Sequence, residues 1–466
     1  MAITFLTYHS IASKKTNNFL NHTDESMIDC EPKIKVALLQ DSPEARLKLT
    51  GSFFLPDGRV VTGELSVRAA NGQIILAASG GGEIIRQKEI FLSPDASTAI
   101  YFTVLDVKIG INFHWQRVQE QSFRGALLVS GHSETTFNLI NIISLEEYLA
   151  SVISSEMAAG APLAFLKAQA ITARSWLVAM LAKKEFLRTL PQPKKDEILV
   201  WQDVNDHQGF DVCADDHCQR YQGVTKIISK NVARAIDATR GIFLTSSGRI
   251  CDARYHKCCG GQTDVFSTAW EDMSFPYLAG RTDHAENRTP VASEEEATAW
   301  LRSKPAAYCN TNDQEILRRI LPAFDLETLN FYRWQVVYTR EKLEKTLKAK
   351  SGIDFGILQN LEPMARGPSG RIYRLKIEGS LGTVVVGKEL EIRRWLSPTH
   401  LLSSAFVVTT ERDTDGTVLR FILDGGGWGH GVGLCQIGAA VMAVQGHEAE
   451  NILAHYFTGA ILRKLY

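Results

Sequence analysis

The chain has 466 residues, of which 51 are basic, 52 are acidic and 45% are hydrophobic. This length favours more than one domain, and the apolar fraction is that of an ordinary globular protein. The near-zero formal charge and the lack of a basic stretch argue against a partner with a phosphate backbone, so no nucleic-acid binding is expected.

The first 32 residues carry no pattern that defines a fold. Residues 1–21 lack a basic region followed by a long apolar run, so the sequence predicts no convincing signal peptide. No segment of the chain is apolar enough to predict a transmembrane helix. Residues 1–32 are therefore interpreted as a poorly defined N-terminal segment.

Residues 33–138 show the patterns of a sheet. Apolar residues alternate with polar ones or form β-branched runs, separated by turn signals such as Asp57-Gly58 and Asn71-Gly72. The pattern predicts a β-rich N-terminal module. The predicted strands cover residues 33–39, 51–55, 59–67, 74–76, 98–107 and 126–130.

A helix is predicted to begin after Ser144, which forms the pattern of a capping box with Glu147. Glu146 and Glu147 are interpreted as capping and solvated charges at its positive end. Glu156 falls on the apolar face, where a carboxylate is not expected, so it is either a catalytic acid or a solvated carboxylate at a helix end. The apolar face is defined by Leu145, Tyr148, Leu149, Val152 and Ile153.

A second helix is predicted to follow Pro162, which sits in the first-turn position that proline favours. Its apolar face continues to Leu177, with the polar residues Gln169 and Arg174 at the margins. Short strands are expected at residues 242–245 and 250–255. These elements form the first part of a mixed core, residues 139–280.

Two imidazoles and two thiols lie close together at His207, Cys213, His217 and Cys218. Such a set can close a tetrahedral Zn²⁺ site of the structural kind, although the spacing is not that of a standard zinc finger. The alternative is a disulfide between Cys213 and Cys218 beside two surface histidines. Both interpretations stay open at this point.

Residues 281–370 are predicted to be a helical insertion, with helices at 294–302, 314–320 and 340–350. Strands at residues 371–377 and 382–386 then begin the second part of the core, residues 371–466, which ends in helices at 436–445 and 448–456. The expected fold class is α+β, with a β-rich N-terminal module, a mixed α/β core and a helical insertion.

The segment Gly427-Trp428-Gly429-His430-Gly431-Val432-Gly433 has glycine at every second position. Such a run suits a backbone that turns sharply and approaches another group closely, because glycine is costly in a regular element. Trp428, His430 and Gln436 offer a stacking surface and two hydrogen-bonding groups, which suggests a carbohydrate-sized groove. The alternative is a structural turn, with Trp428 filling the core beneath it.

Three motifs together resemble the signature of the SpoIID/LytB family. The first is Leu145-Glu146-Glu147-Tyr148-Leu149 with its continuation to Glu156-Met157 and on to Ala173-Arg174. The second is Tyr255-His256-Lys257-Cys258-Cys259-Gly260-Gly261-Gln262-Thr263, and the third is the glycine-rich segment. They occur in the family's order between residues 145 and 466, whereas residues 281–372 look like an elaboration private to this chain.

The resemblance implies a peptidoglycan lytic transglycosylase. Such an enzyme cuts between N-acetylmuramic acid and N-acetylglucosamine in glycan strands stripped of peptide and leaves 1,6-anhydro ends. Glu156 matches the family's catalytic residue. One carboxylate suffices where glycosidases use two, because the C6 hydroxyl of the sugar replaces water. An apolar setting is expected to keep that acid protonated. The candidate substrate-binding residues are Gln169, Arg174, Tyr255, His256, Trp428, His430 and Gln436.

Other family members resemble enhancers of an N-acetylmuramoyl-L-alanine amidase, so a non-catalytic wall-binding role with a partner amidase is the alternative. The cluster at His207, Cys213, His217 and Cys218 is similar to a zinc cluster in some members, and this zinc would be structural. The family also implies an extracytoplasmic location, in the periplasm or cell wall. The missing signal peptide conflicts with it. A misassigned or truncated start is the favoured explanation, and the alternatives are an unusual export signal or a protein that works inside the cell.

Overall fold

The computed structural model describes residue 28 and residues 30–466, except residues 96–99, 110–116, 184–195, 202–206, 216, 228, 287 and 292. Most of the poorly defined segment 1–32 therefore lies outside the described residues. Within the described part of the chain, no helix has the length and apolar character needed to cross a membrane.

The described part of residues 33–144 folds into strands, whereas the predicted β-rich module ends at residue 138. Polar and apolar residues alternate along them, and in β2 the side chains of Ala45, Leu47 and Leu49 are buried while their neighbours Glu44, Arg46 and Lys48 are exposed. The strands are β1 (Lys33–Ser42), β2 (Glu44–Phe54), β3 (Val60–Ala70), β4 (Gln73–Ala78), β5 (Glu83–Gln87), β6 (Glu89–Pro94), β7 (Tyr101–Ile109), β8 (Arg117–Phe123), β9 (Ala126–Gly131) and β10 (Phe137–Ser144).

Two helices follow at once, α1 (Leu145–Glu156) and α2 (Leu163–Lys183). The predicted capping box is not formed, because the Ser144 hydroxyl donates to Glu147 Oε2 at 3.1 Å and caps no amide. The amide of Glu146 instead donates to the Glu31 carboxylate at 2.9 Å. A distant carboxylate thus satisfies one of the unpaired amides at the start of α1.

The next segment contains short elements that connect distant parts of the chain. They are β11 (Glu197–Leu199), β12 (Val212–Cys213), α3 (Lys230–Thr239), β13 (Ile242–Ser246), β14 (Arg249–Ile250), β15 (Tyr255–His256) and α4 (Phe266–Ala269), with 3₁₀ turns at Gly223–Lys226 and Pro276–Leu278. β12 pairs in parallel with β1 and joins an eleven-stranded sheet with the order β12-β1-β10-β9-β6-β2-β3-β4-β5, to which β7 and β8 attach through β2.

The three helices predicted in segment 281–370 are present, but the segment is not wholly helical. The elements from here to the C-terminus are α5 (Glu294–Arg302), α6 (Gln314–Ile320), β16 (Arg333–Thr339), α7 (Arg340–Ser351), β17 (Leu358–Arg366), β18 (Ile372–Gly379), β19 (Gly382–Gly387), α8 (Glu389–Trp395), β20 (Phe406–Arg412), β21 (Val418–Gly426), β22 (Leu434–Cys435), α9 (Gln436–Val444), α10 (Ala449–Tyr456) and β23 (Ile461–Lys464), with a 3₁₀ turn at Asp325–Glu327.

Strand pairing crosses the predicted boundary at residue 370. β17 pairs with β18, and β16 pairs with β21. These strands enclose a second hydrophobic core that runs from Trp334 to Leu423. The main core contains side chains of the N-terminal sheet, of α1 and α2 and of the last helices together. The fold class is α+β.

Candidate active site

Glu156 is the last residue of α1, and it is half-buried although the apolar stripe that leads to it is fully buried. Its Oε1 atom accepts hydrogen bonds from the backbone amide of Arg220 at 3.0 Å and from the Tyr255 hydroxyl at 3.2 Å. No described residue donates to its Oε2 atom. The carboxylate therefore lies in a polar setting with one oxygen held, rather than in the apolar setting that the helix pattern predicts.

Lys257 closes the C-terminal end of α1. Its Nζ atom donates to the backbone carbonyl of Glu156 at 2.7 Å and lies 2.8 Å from a carboxylate oxygen of Asp325. A cation at this end satisfies an unpaired carbonyl and complements the helix dipole. Asp325 belongs to the segment predicted as an insertion, so that segment reaches the site of Glu156.

Tyr255 and His256 connect the first motif to the third. They form β15, which pairs in parallel with β22, so that Tyr255 lies opposite Leu434 and His256 opposite Cys435. Burial, with the nearby Glu156, raises the pKa of Tyr255 well above its usual value, so its hydroxyl stays protonated and donates to Glu156. Tyr255 thus contacts Glu156, and the adjacent His256 contacts Val432 of the glycine-rich segment.

His430 lies in an aromatic cluster with His256 and Trp270, whose ring centroids are 5.5 and 4.8 Å from its own. The amide of Val432 donates to His430 Nδ1 at 3.1 Å. His256 Nδ1 lies 3.1 Å from the Val432 carbonyl, to which it must donate. Burial, followed by the charges of His256 and Arg254, lowers the pKa of His430 well below 6.5. His430 is therefore neutral, with its proton on Nε2.

The glycine-rich segment closes around an arginine that the sequence motifs did not identify. Arg371 is fully buried, and its guanidinium donates to the carbonyls of Gly429 and Cys259 at 3.0 and 3.1 Å. Gly431 has φ +81°, and a Cβ atom there would lie 2.5 Å from the guanidinium carbon. The close approach predicted for this segment is thus made to Arg371 as well as to neighbouring backbone.

Trp428, Gln436 and Gln169 have different environments. Trp428 is half-buried, its backbone pairs with that of Cys258, and its ring centroid lies 5.9 Å from Lys257 Nζ. Gln436 begins α9 and is buried, as is Gln169 on α2. The Nε2 and Oε1 atoms of Gln169 and the Nε2 atom of Gln436 have no hydrogen-bond partner among the described residues.

Arg174 lies in the core instead of a groove. Its guanidinium donates to both carboxylate oxygens of Glu146, at 2.9 and 2.6 Å, and to the carbonyl of Ile242 at 3.0 Å. Glu146 is itself buried and not the solvated charge that the sequence predicts. The helix pattern could not reveal this pairing, because the two residues lie on different helices and are 28 positions apart.

The four predicted zinc ligands lie together. His207 Nε2 is 3.1 Å from Cys218 Sγ, and His217 Nδ1 is 3.4 Å from Cys218 Sγ and 3.9 Å from Cys213 Sγ. All four ligand atoms lie within 4.8 Å of one another, and both cysteines are free thiols. The residues present fit a tetrahedral N₂S₂ zinc site.

The zinc-ligand cluster is connected to Glu156 through the residues that follow Cys218 in the chain. The residues after Cys218 pack along α1: Gln219 Oε1 accepts from the Tyr148 hydroxyl at 3.1 Å, and the amide of Gln222 donates to Ser151 Oγ at 3.1 Å. Between them the amide of Arg220 holds Glu156. Arg220, Lys257, Trp270 and Arg371 complete the site and were not identified from the sequence, although Lys257 lies inside the second motif.

Comparison with known proteins gives two family matches. Residues 133–246 match the family described as Stage II sporulation protein, and residues 264–433 match a domain of unknown function, DUF8618. The chain is 25% identical over 337 residues to an uncharacterized protein of Brachyspira hyodysenteriae, covering 72% of this chain and 71% of that protein. The second match spans segment 281–370, so that segment is not private to this chain.

Relatives with descriptive names also match the chain. The chain is 24% identical over 327 residues to the Stage II sporulation protein D of Bacillus amyloliquefaciens, covering 70% of this chain and 76% of that protein. It is 23% identical over 324 residues to the Amidase enhancer of Bacillus subtilis (strain 168), covering 67% of this chain but only 40% of that longer protein. The family match and these two relatives support the resemblance of the chain to the SpoIID/LytB family.

Proposed function

We propose that this protein acts on the bacterial cell wall as a lytic transglycosylase, with Glu156 as the general acid and base. The observation that carries the proposal is the asymmetric environment of its carboxylate. Two donors hold Oε1, while Oε2 receives no hydrogen bond from the described residues. In this arrangement Oε2 carries the proton that reaches the substrate, and Oε1 fixes the orientation.

The reaction needs no second carboxylate and no water. Glu156 gives its proton to the oxygen that links N-acetylmuramic acid to N-acetylglucosamine, and the bond from that oxygen to C1 of the muramic acid breaks. The C6 hydroxyl of the same sugar attacks C1 and closes the 1,6-anhydro ring. Its proton passes to Glu156, which restores the acid for the next cycle. Zinc has no part in these steps.

The aromatic residues are suited to hold the glycan. Half-buried Trp428 offers a face for a sugar ring, and neutral His430 offers an Nε2 donor. We assign substrate contact to the half-buried residues Tyr255, Trp428 and His430. His256, Gln436, Gln169 and Arg174 are buried and are assigned to the core. The substrate proposed is denuded peptidoglycan outside the cytoplasm, and cell fractionation tests that location.

The test is mass spectrometry of denuded glycan strands after incubation with the purified protein. We expect fragments with 1,6-anhydro ends from the wild-type chain and none from Glu156→Gln, which is nearly isosteric. Glu147→Gln is the matched control, because Glu147 is an exposed carboxylate on the same helix. Cutting by Glu156→Gln at the wild-type rate would rule out Glu156 as the acid.

The second candidate function is enhancement of a partner amidase, favoured by the similarity to a protein named Amidase enhancer. In that case the protein binds glycan while an N-acetylmuramoyl-L-alanine amidase cuts the stem peptide from the sugar. Adding the protein to a purified amidase and intact peptidoglycan distinguishes the two. Faster peptide release, with no anhydro ends and no effect of Glu156→Gln, would favour the enhancer.

We further propose that His207, Cys213, His217 and Cys218 bind one structural Zn²⁺. The short distances among their ligand atoms support this, as does the connection from Cys218 through Gln219 to Arg220. Zinc would hold the amide of Arg220 against Glu156. We expect that Cys213→Ser loses one zinc per chain, measured by plasma mass spectrometry. An intact Cys213–Cys218 disulfide in the native protein would contradict this site.

A further inference from the structure

A second group of possible metal ligands lies in the core, apart from the zinc-ligand cluster. Cys259, Asp283, Cys309 and Cys435 are all fully or almost fully buried. One ligand atom from each lies within 4.8 Å of those of the other three. Buried thiols and a buried carboxylate are costly to bring together unless a cation or a bond compensates them. The Asp283 carboxylate is held by the Cys309 amide and the Tyr456 hydroxyl, neither of which carries a positive charge.

We propose that Cys259, Asp283, Cys309 and Cys435 bind a second structural Zn²⁺. The Sγ atoms of Cys259 and Cys309 are 3.6 Å apart. A tetrahedral zinc with Zn–S bonds of about 2.3 Å requires neighbouring sulfurs about 3.8 Å apart, whereas a disulfide requires about 2.05 Å. The geometry therefore matches two thiolates on one metal ion. Three thiolates favour zinc over hard cations such as Mg²⁺ or Ca²⁺.

Backbone amides already point at the proposed ligands. The amide of Cys259 lies 3.2 Å from Cys435 Sγ, and the amide of Gly261 lies 3.3 Å from Cys259 Sγ. Gly260 and Gly261 have φ of +80° and +103°, which lets the chain curl back on the sulfur of Cys259. Such outer donors orient ligands and stabilise negative charge at a metal site.

The carboxylate of Asp283 is fixed in the same way. Its Oδ2 atom accepts from the amide of Cys309 at 2.8 Å, and its Oδ1 atom accepts from the Tyr456 hydroxyl at 2.5 Å. Each oxygen keeps a lone pair for a metal ion. Gly438 lies against this pair, because a Cβ atom there would be 2.4 Å from both Asp283 Oδ1 and Tyr456 Oη.

The metal would connect three parts of the chain. Cys259 follows β15, Asp283 and Cys309 lie in the segment matched by the domain of unknown function, and Cys435 caps α9. With four protein ligands the site is closed, so its role is structural. It would anchor the segment 283–309 beneath the glycine-rich segment and fix the start of α9 at Gln436.

The experiment measures metal in the purified full chain and needs no glycan substrate. We expect Cys309→Ser to lose one zinc per chain relative to wild type, by plasma mass spectrometry. Cys251→Ser is the matched control, because this thiol is also buried but lies outside the ligand set. Wild-type zinc content in Cys309→Ser, or zinc loss in Cys251→Ser, would overturn the assignment.

A second measurement tests the site in case the Cys309→Ser variant does not fold. Zinc X-ray absorption of the Cys213→Ser chain, which lacks a ligand of the other cluster, should show three sulfurs at about 2.3 Å and one oxygen at about 2.0–2.2 Å. The absence of zinc from this variant, a zinc shell that contains two nitrogens, or a Cys259–Cys309 disulfide in the native peptide map would refute it. Neither result depends on glycan cutting, so failure here leaves the proposed function intact.

Discussion

The Tyr255 hydroxyl donates a hydrogen bond of 3.2 Å to Glu156 Oε1, and these two residues are 99 positions apart in the sequence. This contact joins the second motif to the end of α1. Because Tyr255 also pairs through its backbone with Leu434, any movement of β22 relative to α1 would be transmitted to the carboxylate. The position of Glu156 therefore depends on all three motifs.

We expect Tyr255→Phe to cut glycan roughly 2- to 10-fold more slowly, with little change in melting temperature. A hydrogen bond between neutral groups contributes about 0.5–1.5 kcal/mol, and about 1.4 kcal/mol corresponds to tenfold in rate. The measurement is the rate of anhydro-end formation. Tyr332→Phe is the control, since its hydroxyl donates to the carbonyl of Pro305 and not to Glu156. Full activity of Tyr255→Phe would show that the contact does not orient the acid.

The glycine-rich segment can be tested with a pair of glycines of equal φ. Gly431 and Gly416 both have φ of +81°, but only at Gly431 would a Cβ atom meet Arg371 at 2.5 Å. We expect Gly416→Ala to cost only the strain of the left-handed backbone, about 1–2 kcal/mol. Gly431→Ala should lower the free energy of unfolding, measured with urea, by more than this. It should also slow glycan cutting. Equal losses for the two variants would show that the packing on Arg371 is unimportant.

Arg174→Ala should destabilise the protein by about 3–5 kcal/mol, because it leaves Glu146 as an unpaired charge in the core. We expect the substrate KM of the residual folded protein to be unchanged, because Arg174 lies away from the surface. Arg46→Ala is the control, as its ion pair with Asp106 is exposed and should contribute little. A raised KM with unchanged stability would show that Arg174 binds substrate.

The neutral state of His430 predicts a pH dependence of stability. Its folded-state pKa is lowered by burial, so below pH 6.5 the unfolded chain binds a proton that the folded chain does not. Wild-type stability should therefore fall, relative to His430→Asn, by up to about 1.4 kcal/mol per pH unit as pH drops. Asparagine keeps an acceptor for the Val432 amide. Urea unfolding at pH 7.5, 6.5 and 5.5 tests this, and a constant difference between the two proteins would contradict it.

Much of the secondary structure could be predicted because its signals are local. The apolar spacing from Leu145 to Ile153 gave α1, and the segments 294–302 and 314–320 are helices as expected. The strands at residues 333–339 and 358–366 were missed, because each is recognisable mainly through its partner strand. The predicted boundary at residue 370 therefore falls between two paired strands of one sheet.

The sequence by itself determined the α+β class, the helix that carries Glu156 and the presence of three family motifs. Only the tertiary structure decided which polar side chains meet. It placed Arg174 on Glu146, Lys257 on the carbonyl of Glu156 and Arg371 inside the glycine-rich segment. Periodicity is a property of neighbours along the chain, whereas these contacts join residues 28 to 101 positions apart. Their energy depends on burial and on the partner, which exist only once the chain has folded.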